Sequence, residues 1–268
     1  MCSKPKVLIP IFPGTNGEYE LERLFHKAGA DVTKIVFNTL SNSNIEDSYK
    51  ELTEAVNRTH ILAISSGMSA GAEPDGSAKL ITIVLRHSGI KDALNNLITK
   101  RKGLVLGFGE GFKALLKTGL IQTGEIQEKE QEDVLLLKHS TNKYHCTLRA
   151  VKYNNTNSPW LTGMNNTEET VPVSGLDGII YMNDDLYEKY IENKQVASEF
   201  IDSSVYNNPL SKSHIVESLV SKNGLVYGRM GLVDKVEKGL YINVANVDDC
   251  WIFKNAVEYV RKCIIHNA

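Results

Sequence analysis

Hydrophobic positions alternate between two periods along residues 1–120. Residues 6–12 form a short apolar run closed by Pro13-Gly14, which predicts a strand. From 18 to 28, Leu21, Leu24 and Phe25 recur at helical spacing before Gly29. Residues 31–37 alternate like a second strand, 45–56 read as an amphipathic helix, and 60–65 as a buried strand running into Ser66-Gly67. Helices are expected over 78–86 and 92–99, a fourth strand over 103–106, and a helix over 112–117 stopped by Thr118-Gly119. Such alternation predicts a parallel sheet with helices on both faces, because each parallel crossover needs a covering element.

The second half has a different rhythm. Strands are expected over 134–139, 144–153, 170–174, 196–201, 215–220 and 225–229, antiparallel or mixed, with turns at Asn154-Asn155 and Lys222-Asn223-Gly224. A last helix over 250–263 aligns Ile252, Phe253, Ala256, Val257, Val260 and Ile264 on one face, which should pack on the sheet. No linker composition interrupts the chain, so residues 1–268 are read as a single domain: an α/β doubly wound unit with a strand-rich C-terminal elaboration.

Composition narrows the partners. Thirty Lys+Arg against 32 Asp+Glu leave a net charge of −2, and no basic block draws the chain to nucleic acid or an anionic membrane. No apolar run approaches the roughly 18 residues of a membrane span, so the expectation is a soluble, cytoplasmic protein. The four cysteines show no metal or disulfide spacing; they are read as reduced thiols, with Cys146, Cys250 and Cys263 filling core space. No metal or other cofactor is expected.

In an open parallel sheet, ligands bind beyond the carboxyl ends of the strands, which selects the loops 13–17, 65–77 and 107–111. The last, Gly107-Phe108-Gly109-Glu110-Gly111, has the strand-turn-helix form of a nucleophile elbow, whose sharp turn demands small residues. Its central residue is Gly109, which has no side chain to attack with. As a phosphate cradle the loop lacks both the G-K-[ST] ending and full G-x-G-x-x-G spacing.

The segment from Leu106 to Leu120 resembles the elbow of the glutaminase domain of phosphoribosylformylglycinamidine synthase, the purine-biosynthetic amidotransferase. Phe12-Pro13-Gly14-Thr15-Asn16 is similar to that family's opening turn. The stretch from Ser66-Gly67-Met68 to Ser77 is similar to its oxyanion loop, Asn157–Leu161 to a later segment, and Asn223–Gly231 to the strand ending its active site. The resemblance runs through nearly the whole chain in order. It implies a class I glutamine amidotransferase-like, flavodoxin-like sandwich, in which an elbow cysteine attacks the glutamine amide, a histidine and a glutamate activate it, and backbone N–H groups hold the oxyanion. It also implies a partner, a synthetase domain or subunit of the purine pathway that receives the ammonia; the oligomeric state stays open.

Measured against that resemblance, the catalytic positions are degenerate. Gly109 stands at the cysteine's place, and Leu232-Val233-Asp234 at the place of His-Ser-Glu. Ser66, Gly67, Met68, Glu110 and Gly111 remain as oxyanion-loop and pocket candidates. The expectation is a chain without glutaminase activity that keeps a structural or docking role. Two alternatives are a hydrolase rebuilt on Glu110 or Asp234 as general base, and a module binding a small metabolite in the old pocket. The seven histidines lack neighbours at ligand or triad spacing and read as structural; residues 125–133 read as a solvated acidic connection, and Trp160 and Trp251 as packing anchors.

Overall fold

A computed structural model describes residues 4–68, 78–127, 134–138, 144–175, 177–201, 215–237, 239–245 and 251–265. The first half follows the predicted order: β1 (Lys6–Ile11), α1 (Glu18–Ala28), β2 (Asp31–Val36), α2 (Asn42–Arg58), β3 (Ile61–Ile64), α3 (Lys79–Arg86), α4 (Ser88–Thr99), β4 (Leu104–Phe108), α5 (Glu110–Lys117) and the short α6 (Leu120–Thr123). Helix α2 begins earlier than its apolar pattern because Ser41 caps it, its Oγ accepting the Asn44 N–H at 3.2 Å. Every residue of β3 and β4 is buried, whereas β2, at the sheet edge, alternates.

The second half supplies β5 (Leu135–Lys138), β6 (His145–Tyr153), β7 (Glu168–Gly175), β8 (Asp177–Tyr181), α7 (Asp184–Glu192), β9 (Val196–Phe200), β10 (Val216–Val220), β11 (Val226–Arg229) and α8 (Trp251–Tyr259), which runs into a π-turn at Val260–Ile265. One sheet connects them in the order β2-β1-β3-β4-β11-β10-β9-β6-β7, with β8 beside β10 and β5 beside β8. Strands β2, β1, β3, β4 and β11 are parallel; from β10 outward the pairing is antiparallel. Strand β11 therefore joins the parallel half although residues 109–225 of the chain intervene, and it places the turn after Arg229 beside the elbow after β4.

Helices cover both faces, as β2 records: Thr33 and Ile35 face a groove shared with α2, while Lys34 between them reaches Glu22 of α1 at 2.5 Å. Helix α8 packs on α1, with Phe253 edge-on to Phe25 at 4.9 Å. Trp160 is fully buried and donates its indole N–H to the Leu225 carbonyl at 3.1 Å, an anchor as expected. Strand β8 and helix α7 were absent from the sequence expectation. In α7 only Tyr190 is buried, so the helix rests on its cap, Asn183 accepting the Leu186 N–H at 2.8 Å, more than on an apolar stripe. One expectation is overturned: Cys146 and Cys263 are exposed, because the start of β6 and the final π-turn lie at the periphery where little packs over them. Cys250 lies outside the described residues, as do residues 69–77 of the oxyanion loop and most of the acidic connection.

Candidate functional site

Strand β4 ends at Phe108, and the chain reverses into α5 through Gly109 at φ 50°, ψ −106°, a backbone conformation that L side chains rarely adopt. The Gly109 N–H donates to the Arg229 carbonyl of β11 (2.9 Å), and its own carbonyl accepts the Lys113 N–H (3.0 Å), so the helix starts without delay. Crowding explains the flanking glycines: a Cβ on Gly111 would lie 2.5 Å from the Ile64 carbonyl oxygen, and one on Gly107 2.8 Å from the Phe112 nitrogen. At Gly109 there is more room. A Cβ there would sit 3.3 Å from Ser66 Cβ and 3.5 Å from Leu232 Cδ2. The fold thus brings Gly109, Ser66 and Leu232 together from three distant parts of the chain.

Ser66, Gly67 and Met68 follow β3 and are bonded to the loop after β1. The Asn16 N–H donates to the Ser66 carbonyl and the Met68 N–H to the Gly14 carbonyl, each at 2.9 Å, while Ser66 Oγ donates to the Asn16 carbonyl at 2.9 Å. Gly67, at φ 153°, lies so close to this partner loop that a Cβ would be 2.5 Å from the Gly14 oxygen. Met68 is exposed on the rim.

The third component is the turn after β11. Glu217 of β10 accepts the Gly231 N–H at 2.6 Å and holds the Arg229 guanidinium at 3.0 and 3.2 Å; Arg229 also donates to the Tyr153 hydroxyl at 2.8 Å. Tyr153 in turn donates to Glu169, whose other oxygen accepts the Trp251 indole N–H at 3.1 Å. All these groups are buried except Trp251, which is half-buried, and together they fix the turn that carries Leu232. The Leu232 N–H completes the anchorage on the Pro172 carbonyl at 2.8 Å.

Asp234 follows on a 3₁₀ turn, fully buried against the start of α1, where a Cβ on Gly17 would lie 2.6 Å from its Oδ2. Apart from the N–H of its own backbone, neither carboxylate oxygen has a hydrogen-bonding partner among the described residues. Burial pushes its pKa up to about 7; the neighbouring Lys235 pulls the other way and Glu20 adds to the rise. Lys235 itself spans the loop and the helix, bonding Asn16 Oδ1 and Glu20 Oε1 at 3.0 Å each.

Glu110, also buried, accepts the Ala78 N–H on Oε1 at 3.1 Å, at the start of α3. His87 stacks on Tyr49 at 3.9 Å, and His60 sits at the amino end of β3, remote from the elbow. Among the described residues no group of three His, Cys, Asp or Glu could hold a metal, and no helix is long and apolar enough to cross a membrane. Sequence reasoning missed the ionic support beneath the site. Its signal was slight: Glu217 lies beside Ser218 inside the buried β10, and Arg229 closes the otherwise uncharged β11.

Comparison with known proteins places this geometry. The description "CobB/CobQ-like glutamine amidotransferase domain" matches residues 4–260. A phosphoribosylformylglycinamidine synthase subunit PurQ from Methanococcus maripaludis is 26% identical over 285 residues, covering 96% of this chain and 98% of that protein. The PurQ of Picrophilus torridus is 22% identical over 228 residues, covering 83% and 84%. Of solved structures, PurLQS from Thermotoga maritima is similar with a TM-score of 0.67 at 15% identity, over 96% of this chain and 100% of that one. The glutaminase domain of Trypanosoma brucei CTPS, with bound acivicin, reaches 0.55 at 9% identity, over 96% and 93%. These structural likenesses carry the fold, while the family match extends from β1 into the π-turn after α8. The chain therefore belongs to the CobB/CobQ-like glutamine amidotransferase family and has the helix-covered, mixed-sheet architecture of a class I glutamine amidotransferase, parallel in its central strands and antiparallel in the wing.

Proposed function

We propose that this protein is a glutaminase-like member of the purine-biosynthetic amidotransferases that has lost glutaminase chemistry and retains a structural or docking role. On this reading residues 1–268 act as one unit in the cytoplasm, beside a synthetase subunit of that pathway. The observation that carries it is the Gly109–Leu232 pair: a side chain on the elbow would meet an alkyl group at 3.5 Å, where a nucleophile needs an imidazole. Gly109, Leu232 and Asp234 are the degenerate catalytic positions, and Ser66, Gly67, Met68, Glu110 and Gly111 the remnant of the pocket. Similarity to PurQ subunits over 96% of the chain supports the pathway assignment.

The test is release of glutamate from glutamine by the pure protein, with and without a PurL-type synthetase. No release in either case is expected; release lost on mutating a single local residue overturns the reading. A combined Gly109→Cys, Leu232→His, Asp234→Glu variant should regain a trace of activity, because the elbow backbone is in place.

Asp234 supports a second reading. A buried carboxylate with a pKa near 7 is suited to general acid-base work on an activated water. Hydrolysis of activated esters with a pH midpoint near 7, abolished in Asp234→Asn, would favour it.

A further inference from the structure

At the amino ends of β3 and β4, the end of the sheet opposite the glycine loops, lies a cavity of about 360 Å³. Its walls include His60, Leu97, Ile264 and the consecutive Lys100, Arg101 and Lys102. Three cations in a row stand out in a chain of net charge −2, and no carboxylate among the described residues pairs with any of them.

Structural duties account for part of the cluster. Arg101 donates to the carbonyls of Val56 and Thr59 at 2.7 Å each, closing the end of α2, and its Nε is buried with no partner among the described residues. Lys100 stands at the end of α4, where a cation complements the helix dipole. Neither duty requires Lys102, which holds φ 55°, a conformation that Gly or Asn adopts with less strain. Lys100 and Lys102 are both exposed residues, and both line the cavity.

His60 adds a neutral donor. Its Nδ1 accepts the Lys6 N–H at 3.0 Å, so the ring proton belongs on Nε2. Burial, reinforced by Lys6 and Arg101, holds the imidazole below its ordinary pKa, which records the positive field of this corner. Leu97 and Ile264 supply apolar wall, and the volume falls in the range of small-molecule sites.

We propose that this cavity binds the phosphate group of a small phosphorylated compound, with Lys100 and Lys102 as its charge partners and the partly exposed Ile264, backed by the buried Leu97, against its organic body. Ammonium groups suit phosphate as compact point charges, and a doubly charged anion would relieve the repulsion between them. The inference is independent of the glutaminase reading, because no residue of the elbow site takes part.

Calorimetric titration of the full chain at constant ionic strength, with inorganic phosphate and with adenosine monophosphate, tests it. Saturable binding of the nucleotide below about 10 mM is expected, weakened about tenfold or more in Lys100→Glu/Lys102→Glu and unchanged in the surface control Lys79→Glu. Both lysines are exposed, and an unaltered melting temperature would show that the double variant still folds. Tighter binding of the nucleotide than of phosphate supports the apolar wall; equal affinities overturn that part and leave a phosphate-only site. Absence of saturation with either probe, or affinity indifferent to the double substitution, overturns the whole proposal.

Discussion

In β3 and β4 every residue is buried and all are apolar or glycine, whereas the equally buried β10 and β11 enclose Glu217, Ser218 and Arg229. The parallel half holds together by removing apolar surface from water, about 25 cal/mol for each Å². The antiparallel wing adds an interior that is stable only while its charges stay paired. The two halves meet at β11, whose end carries the turn bearing Leu232 and Asp234. Position in the candidate site thus depends on an ionic lock on one side and on close packing of glycines on the other.

Removing the lock should have the largest effect. Arg229→Ala leaves Glu217 and Glu169 facing each other in the core, and urea denaturation should show a loss of about 3–5 kcal/mol. A loss below about 1 kcal/mol would mean that the wing does not depend on pairing. On the parallel side, Leu106→Ala removes a fully buried side chain from β4 and should cost about 3 kcal/mol by the same assay, with little dependence on pH. If both variants respond to pH alike, the contrast between the halves is wrong.

Asp234 sharpens the comparison at the seam. Its folded pKa of about 7 lies above the ordinary 3.8, so the native state holds the proton more tightly. Stability from this group is complete below about pH 4 and is lost as the pH climbs through about 7. The advantage of Asp234→Asn over the parent should therefore grow by about 2–3 kcal/mol between about pH 5 and 8 in matched denaturation curves. A flat difference would place the charge of Asp234 in a better-solvated setting. The smallest change expected is Gly109→Ala, about 1–2 kcal/mol, set by backbone strain at φ 50° together with a tight 3.3 Å approach of the added methyl to Ser66 Cβ. A neutral thermal melt for this variant would show that the elbow relaxes.

How much was legible in the sequence follows the same division. Short apolar runs bounded by turn residues, such as Ile61–Ile64 before Ser65-Ser66-Gly67, read as buried strands, and glycines at 107, 109 and 111 marked a crowded turn. The wing hid its pairing order, since Glu217 and Arg229 look like surface residues until Tyr153 and Glu169 are brought beside them through the sheet. Helix α7 was missed because most of its faces meet water, and β8 because 177–181 is too short to show a period. In the candidate site, the meeting of Gly109 with Leu232 followed from resemblance. The burial of Asp234 and the Lys235 bridge to Asn16 and Glu20 required coordinates, because contacts across more than 200 residues leave no local pattern.

The paired backbone bonds between residues 14–16 and 66–68 also govern time. Loops ordinarily fluctuate one by one, yet these two separate only when the backbone pair and the Ser66 Oγ bond to Asn16 break, so the Asn16 and Met68 amides should exchange with deuterium at one shared, slow rate. Residues 14–16 and 66–68 therefore move as one unit beside the elbow, and a substitution in either segment should change the exchange of both.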